Sequence, residues 1–115
     1  MFSTAKLERL PESTAVVTFS GPLTLGTPLN MADSQVQAAI ADGVTRMVFD
    51  LTEVDYVDSA GLSMVVSICG VLLHKHGAFR LCGVTPRVLT LLKFTKADSF
   101  LAIDKSREES LASLV

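Results

Sequence analysis

The sequence predicts a small single-domain α/β fold: a mixed sheet of four or five strands with about four helices packed on it. Three observations carry this. After two leading extended segments, strand-type runs alternate with helix-type runs down the chain. The run Met47 to Leu51 is almost free of polar side chains, the mark of a strand covered on both faces. The chain has 115 residues, 49% of them hydrophobic, which is enough for one core and too short for two domains.

Ser3 to Leu10 reads as an edge strand, and Thr14 to Ser20, rich in β-branched residues, as a stronger one. Pro11-Glu12-Ser13 reads as a turn that makes the two antiparallel. Gly21-Pro22 ends the second strand. Thr27-Pro28 predicts a helix start, with Thr27 as cap and Pro28 at the first helical position, where a missing N–H costs nothing. Leu29, Ala32, Val36, Ala39 and Ile40 form one apolar stripe along that helix, and Gly43 stops it. Arg46 to Leu51 is the central strand, followed by a loop, Thr52 to Asp58. A long helix over about Ser59 to Lys75 comes next. Its stripe Leu62, Val65, Val66, Cys69, Leu72 and Leu73 is expected on the sheet. Ser63, Ser67, Gly70 and His74 form a small and polar band. Met64, Ile68 and Val71 form a second apolar band, either covered by a neighbouring helix or left exposed as a docking surface.

Ala78 to Gly83 reads as a buried strand. Thr85-Pro86 repeats the cap-then-proline device and opens a helix with Val88, Leu91, Leu92 and Thr95 inward. Phe100 to Ile103 is a last short strand. Ser106-Arg107-Glu108-Glu109 is a capping-box pattern that starts a C-terminal helix carrying Leu111 and Leu114.

Composition narrows the chemistry. Net charge is −2, and the lysines and arginines are scattered, so no basic patch points to nucleic acid. The longest apolar run, Leu62 to Leu73, is too short and too interrupted for a membrane span. Met1 to Leu10 carries charges and no apolar core, so a secretion signal is not expected and a cytoplasmic protein is. Cys69 and Cys82 are flanked by apolar residues and read as buried reduced thiols. His74 and His76 point in different directions and lack further ligands nearby. They read as partners of a helix C-terminus rather than of a metal. No metal or other cofactor is expected.

The chemistry-bearing feature is the junction Asp58-Ser59-Ala60-Gly61, a small polar knot between two hydrophobic runs. Asp58 or Ser59 can cap the long helix by accepting from an unpaired first-turn N–H. Ser59 then sits at the positive end of a helix, where a hydroxyl is reachable and an added anion is tolerated. Glu53, Asp55 and Asp58 lie close in sequence, but no His or Lys nearby can serve Ser59 as a base. As a catalyst this arrangement is poor; as a substrate for a kinase it is good.

Asp58-Ser59-Ala60-Gly61-Leu62, preceded by Phe49-Asp50-Leu51 and Val54-Asp55, resembles the signature of STAS domains. It looks most like the stand-alone bacterial anti-sigma factor antagonists, over nearly the whole chain from about Thr14. The resemblance implies a STAS-like fold and a non-enzymatic protein. Such a protein binds an anti-sigma factor that is also a serine kinase, and is released when phosphorylated on Ser59. A serine phosphatase resets it. The partner-binding residues would be Asp55, Asp58, Ala60, Gly61, Ser63, Met64, Ser67, Ile68 and Val71, with the outward side of the long helix as docking surface. Ala60 stands where relatives often carry a second serine, leaving Ser59 as the phosphoacceptor. Thr24, in Gly21-Pro22-Leu23-Thr24, stands where the family often has an acidic residue, a departure that touches partner recognition rather than fold. The alternative is a STAS scaffold or transport-complex subunit without phosphorylation, in which Ser59 is only a helix cap. A homodimer is left open.

Overall fold

A computed structural model describes residues 3–114. Two strands open it, β1 (Thr4–Leu10) and β2 (Thr14–Ser20). They pair antiparallel with Leu10 opposite Thr14, and Glu12 and Ser13 both adopt positive φ in the turn between them. Then α1 (Thr27–Ala41), β3 (Arg46–Glu53), α2 (Ser59–His74), β4 (Ala78–Cys82) and α3 (Pro86–Phe94) alternate. A single 3-10 turn (Ala97–Ser99), β5 (Ala102–Asp104) and α4 (Arg107–Ser113) complete the described chain. The sheet has five strands in sequence order, and β2 to β5 run parallel.

This order explains the layering. Each crossover from β2 to β5 steps to the next strand in the same direction. Right-handed crossovers of that kind put their helices on one face. The large core therefore lies between one sheet face and the crossover helices. Val17, Phe19, Met47, Phe49, Phe79 and Leu81 meet Val36, Ile40, Val65, Ile68, Leu72 and Val88 there. Phe49 anchors it, edge-on to Phe19 at 4.9 Å and to Phe79 at 4.8 Å between ring centroids. The opposite face carries a smaller cluster, Val16, Val48 and Cys82 with Leu114, covered by α4. A strand whose side chains are buried on both faces is what the unbroken apolar run of β3 requires.

Several expectations are adjusted. The stripe Leu29, Ala32, Val36, Ala39 and Ile40 is the buried face of α1, as the periodicity predicts. The cap of that helix, however, is Gly26 and not Thr27, at φ 150° and without a side-chain cap. A φ in that region suits glycine, and Thr27 is already the first helical residue. Phe100 is 55% exposed and lies before β5 rather than in it, because the 3-10 turn uses the preceding residues. Thr95 is exposed, and the buried residues of α3 are Val88 and Leu92. The capping box of α4 forms in a shifted version. Glu109 N–H donates to Ser106 Oγ, while Glu109 Oε2 accepts from Lys105 N–H instead of from the cap residue.

A polar network ties α4 to the sheet edge. Arg80 on β4 donates twice to Asp104 on β5, at 2.6 and 3.1 Å, and the buried Ser110 hydroxyl donates to Asp104 Oδ2 at 2.7 Å. The Arg80 hydrogen bonds, and then the Ser110 one, hold the Asp104 carboxyl below the usual carboxylate range. Asp104→Ala should cost about 2 kcal/mol in denaturant unfolding at neutral pH, short of a fully buried pair because Arg80 keeps 27% of its side-chain surface in water. A group with a depressed folded pKa stabilises above its unfolded value and loses that contribution as pH falls through the folded one. The gap between variant and wild type should therefore narrow below pH 3.8.

Candidate functional site

Because β2, β3 and β4 run parallel, the loops that follow them emerge at one edge of the sheet. These loops are residues 21–26, 54–58 and 83–85. The first continues alongside the second as a short backbone ladder. Gly21 N–H donates to the Glu53 carbonyl, Leu23 N–H to the Tyr56 carbonyl and Asp58 N–H to the Leu23 carbonyl. Leu23 and Val57 form an isolated parallel bridge and are both buried. The third loop is held by the Thr85 hydroxyl, which donates to the Val54 carbonyl at 3.0 Å. Thr85 does stand at the head of α3, but its hydroxyl serves this tie rather than the helix.

Asp58 is the joint. It is the N-cap of α2, and its Oδ1 accepts from Gly61 N–H at 2.9 Å. Its Oδ2 accepts from Leu25 N–H, also at 2.9 Å, so one carboxylate holds the helix start and the β2–α1 loop together. The Leu25 N–H, and next the Gly61 N–H, keep its carboxyl below the ordinary carboxylate range. Gly61 closes the joint from the helix side. A Cβ added there would lie 2.3 Å from the Leu23 carbonyl oxygen and 2.9 Å from the Leu23 Cβ, so the helix can approach the loop only with glycine at this position.

Ser59 is the first residue of α2 and is exposed. Around it, Leu25 is 78% exposed, Tyr56 is half exposed, and Asp55, Ser63 and Ser67 face solvent. Residues 21–27 and 54–63 contain no lysine or arginine. The cation that approaches this loop comes from α3: the Arg87 guanidinium lies 5.4 Å from the centroid of the Tyr56 ring. His74 is the last residue of α2, about 22 Å from Ser59 along the axis, and His76 follows the helix at that same far end. Among the described residues no three His, Cys, Asp or Glu side chains converge as a metal-binding group, and no helix is long and apolar enough to cross a membrane. Cys69 and Cys82 are buried and free; burial pushes both thiols up, Cys82 to about 12.

The residues expected to bind a partner divide. Asp55, Ser63 and Ser67 are exposed, and Asp58 is partly so. Gly61, Met64 and Ile68 are buried inside the fold, with Met64 at 7% and Ile68 at 0% exposure, so they do not form a surface. Ala60 and Val71 are half-buried against the core. The second apolar band of α2 thus faces inward. Part of the stripe expected on the sheet turns outward instead, with Leu73 54% exposed and Leu62 and Val66 half-buried. The helix is apolar over so wide an arc that its period alone does not choose the buried face. On the face that is buried, Gly61 lies against Leu23, a close approach across 38 residues of sequence that the period does not announce.

Comparison with known proteins agrees with this geometry. The profile of the STAS domain family matches residues 6–110. The chain belongs to the STAS domain family. Over 81 residues, 70% of each chain, it is 30% identical to BtrV of Bordetella bronchiseptica, which is named as a candidate anti-sigma factor antagonist. In structure it is similar to a candidate anti-sigma factor antagonist of Thermotoga maritima, with a TM-score of 0.88 at 17% identity over 96% of this chain and 93% of that one. It is also similar to the Bacillus cell fate determinant SpoIIAA in its phosphorylated form, with a TM-score of 0.71 at 20% identity over 97% of this chain and 100% of that one. These likenesses establish the STAS fold.

Sequence reasoning missed Leu25, Tyr56 and Arg87. The pairing of loop 21–26 with loop 54–58 is a long-range fact, and nothing in either loop's composition announces it. The STAS motif can be tested as architecture. Gly61→Ala should cost about 2 kcal/mol in urea unfolding, because the new methyl meets backbone rather than a flexible side chain. Asp58→Ala should lower stability at neutral pH, with the difference closing as pH falls below 3.8 and the wild-type carboxylate protonates.

Proposed function

We propose that this chain is an anti-sigma factor antagonist whose grip on its partner is switched off by phosphorylation of Ser59. The partner is an anti-sigma factor that also acts as serine kinase, and a serine phosphatase restores the binding state. The observation that supports this best is the setting of Ser59. An exposed hydroxyl stands on the first residue of α2, beside a carboxylate already committed to two backbone N–H groups. The cap role belongs to Asp58, so Ser59 is not needed to start the helix, which weighs against the scaffold reading. The naming of BtrV as a candidate anti-sigma factor antagonist, and the existence of SpoIIAA in a phosphorylated form, support the same reading.

The physics of the switch follows from charge. A phosphoryl group brings about −1.5 to −2 units of charge. The first-turn N–H groups of α2 favour it, while Asp55 and Asp58 oppose it and the adjoining loops supply no cation. The free protein tolerates the group in water. A partner packed flat on Leu25, Ser59, Ser63 and Ser67 has to desolvate it, at a cost of a few kcal/mol unless it brings a matching arginine. The interface therefore opens without any refolding of the domain. Leu62 and Val66, partly exposed beside the serine band, take the apolar role first assigned to Met64 and Ile68.

Incubation with the anti-sigma factor kinase of the same cell and ATP should place a single phosphate on Ser59 by mass spectrometry. In calorimetry, Ser59→Asp should weaken the complex about a hundredfold, roughly 2.7 kcal/mol, while Ser59→Ala binds as the wild type does. Equal affinity of both variants would overturn the switch.

A further inference from the structure

A groove of about 290 Å³ runs between the β3–α2 loop and α3, walled by Asp55, Tyr56, Val57, Arg87, Leu91 and Phe94. Phe94 is 86% exposed and Tyr56 46% exposed. Two aromatic rings and an arginine on one open surface are the residues that dominate protein interfaces. The charge of Arg87 is also unspent. Arg9, Arg46, Arg80 and Arg107 each sit in an ion pair, with Asp42, Glu12, Asp104 and Glu8. Among the described residues Arg87 has no such partner and lies over Tyr56 instead. The charged residues of the groove lining are Arg87 and, across from it, Asp55.

We propose that this groove docks a protein segment in which a carboxylate adjoins an aromatic or branched apolar side chain. The carboxylate takes the fork of Arg87, which can donate two parallel hydrogen bonds to it. The apolar side chain covers Leu91, Val57 and the face of Phe94. Asp55, on the opposite wall, repels the acid and so fixes the orientation of the segment, with its charge toward α3. The occupant is a protein segment and not a small acid because the largest apolar element, Phe94, stands on an open rim and is covered only by something broad. The proposal does not rest on phosphorylation of Ser59, which lies outside the groove lining.

The test is an NMR titration of the full isotope-labelled chain with the peptide acetyl-Glu-Phe-Leu-Glu-amide. Saturable shifts are expected at the amides of Tyr56, Arg87 and Leu91. The charge-reversed peptide acetyl-Lys-Phe-Leu-Lys-amide should bind about tenfold more weakly, as should the acidic peptide to Arg87→Gln or to Phe94→Ser. Both side chains are exposed, so folded spectra are expected for both variants. Arg87→Lys should recover part of the loss. Equal binding of the two peptides, or shifts mapping elsewhere, would overturn the proposal. So would tighter binding of phenylacetate than of the peptide, which would make the groove a small-acid site. A dimer in sedimentation equilibrium that Phe94→Ser abolishes would also overturn it, by making a second copy the occupant.

Discussion

One carboxylate organises the functional edge of this molecule. Asp58 takes the Gly61 N–H with one oxygen and the Leu25 N–H with the other. Through it, the start of α2 and the loop leading to α1 become one rigid corner. Gly61 lets the two backbones close to a distance that no side chain permits. Ser59 stands between these two fixed residues, so its hydroxyl is presented by geometry and not by chance exposure. Charge-assisted hydrogen bonds from backbone N–H groups are among the stronger polar contacts a loop can make. That strength is what allows a two-residue motif core to set the position of a third residue.

The sheet supplies the rest of the placement. Parallel strands bring the loops after β2, β3 and β4 to one edge, and the Thr85 hydroxyl binds the third loop to the second. The serine band of α2 and the groove beside Arg87 are therefore neighbours through the stretch Asp55–Val57. Burial elsewhere is conventional. Phe19, Phe49 and Phe79 lock the middle strands, and α4 seals the far face.

Local chemistry was legible in the sequence wherever a residue acts on its near neighbours. The strand β2, the buried stripe of α1, the proline-led start of α3 and the Ser106 cap all follow from short-range rules and stand as read. Asp58 as cap and Ser59 as exposed hydroxyl were legible too. What failed was rotational and long-range. Met64 and Ile68 turn inward with Gly61, on a helix apolar over so wide an arc that its period alone does not choose the buried face, and Gly61 there meets Leu23, far away in the chain. Thr27 lost its cap role to Gly26 because the chain enters α1 through a backbone angle that glycine suits. Arg87 over Tyr56 had no sequence signal at all, since α3 and the loop meet only in the fold.

The central claim is that phosphate on Ser59 changes the charge of a rigid surface and leaves the surface in place. Amide hydrogen exchange on the chain with and without that phosphate tests it directly. A rigid corner predicts unchanged protection at the Leu25 and Gly61 amides and through α2. Loss of protection spreading along α2 or into β3 would contradict it, because the added charge would then act by loosening the fold.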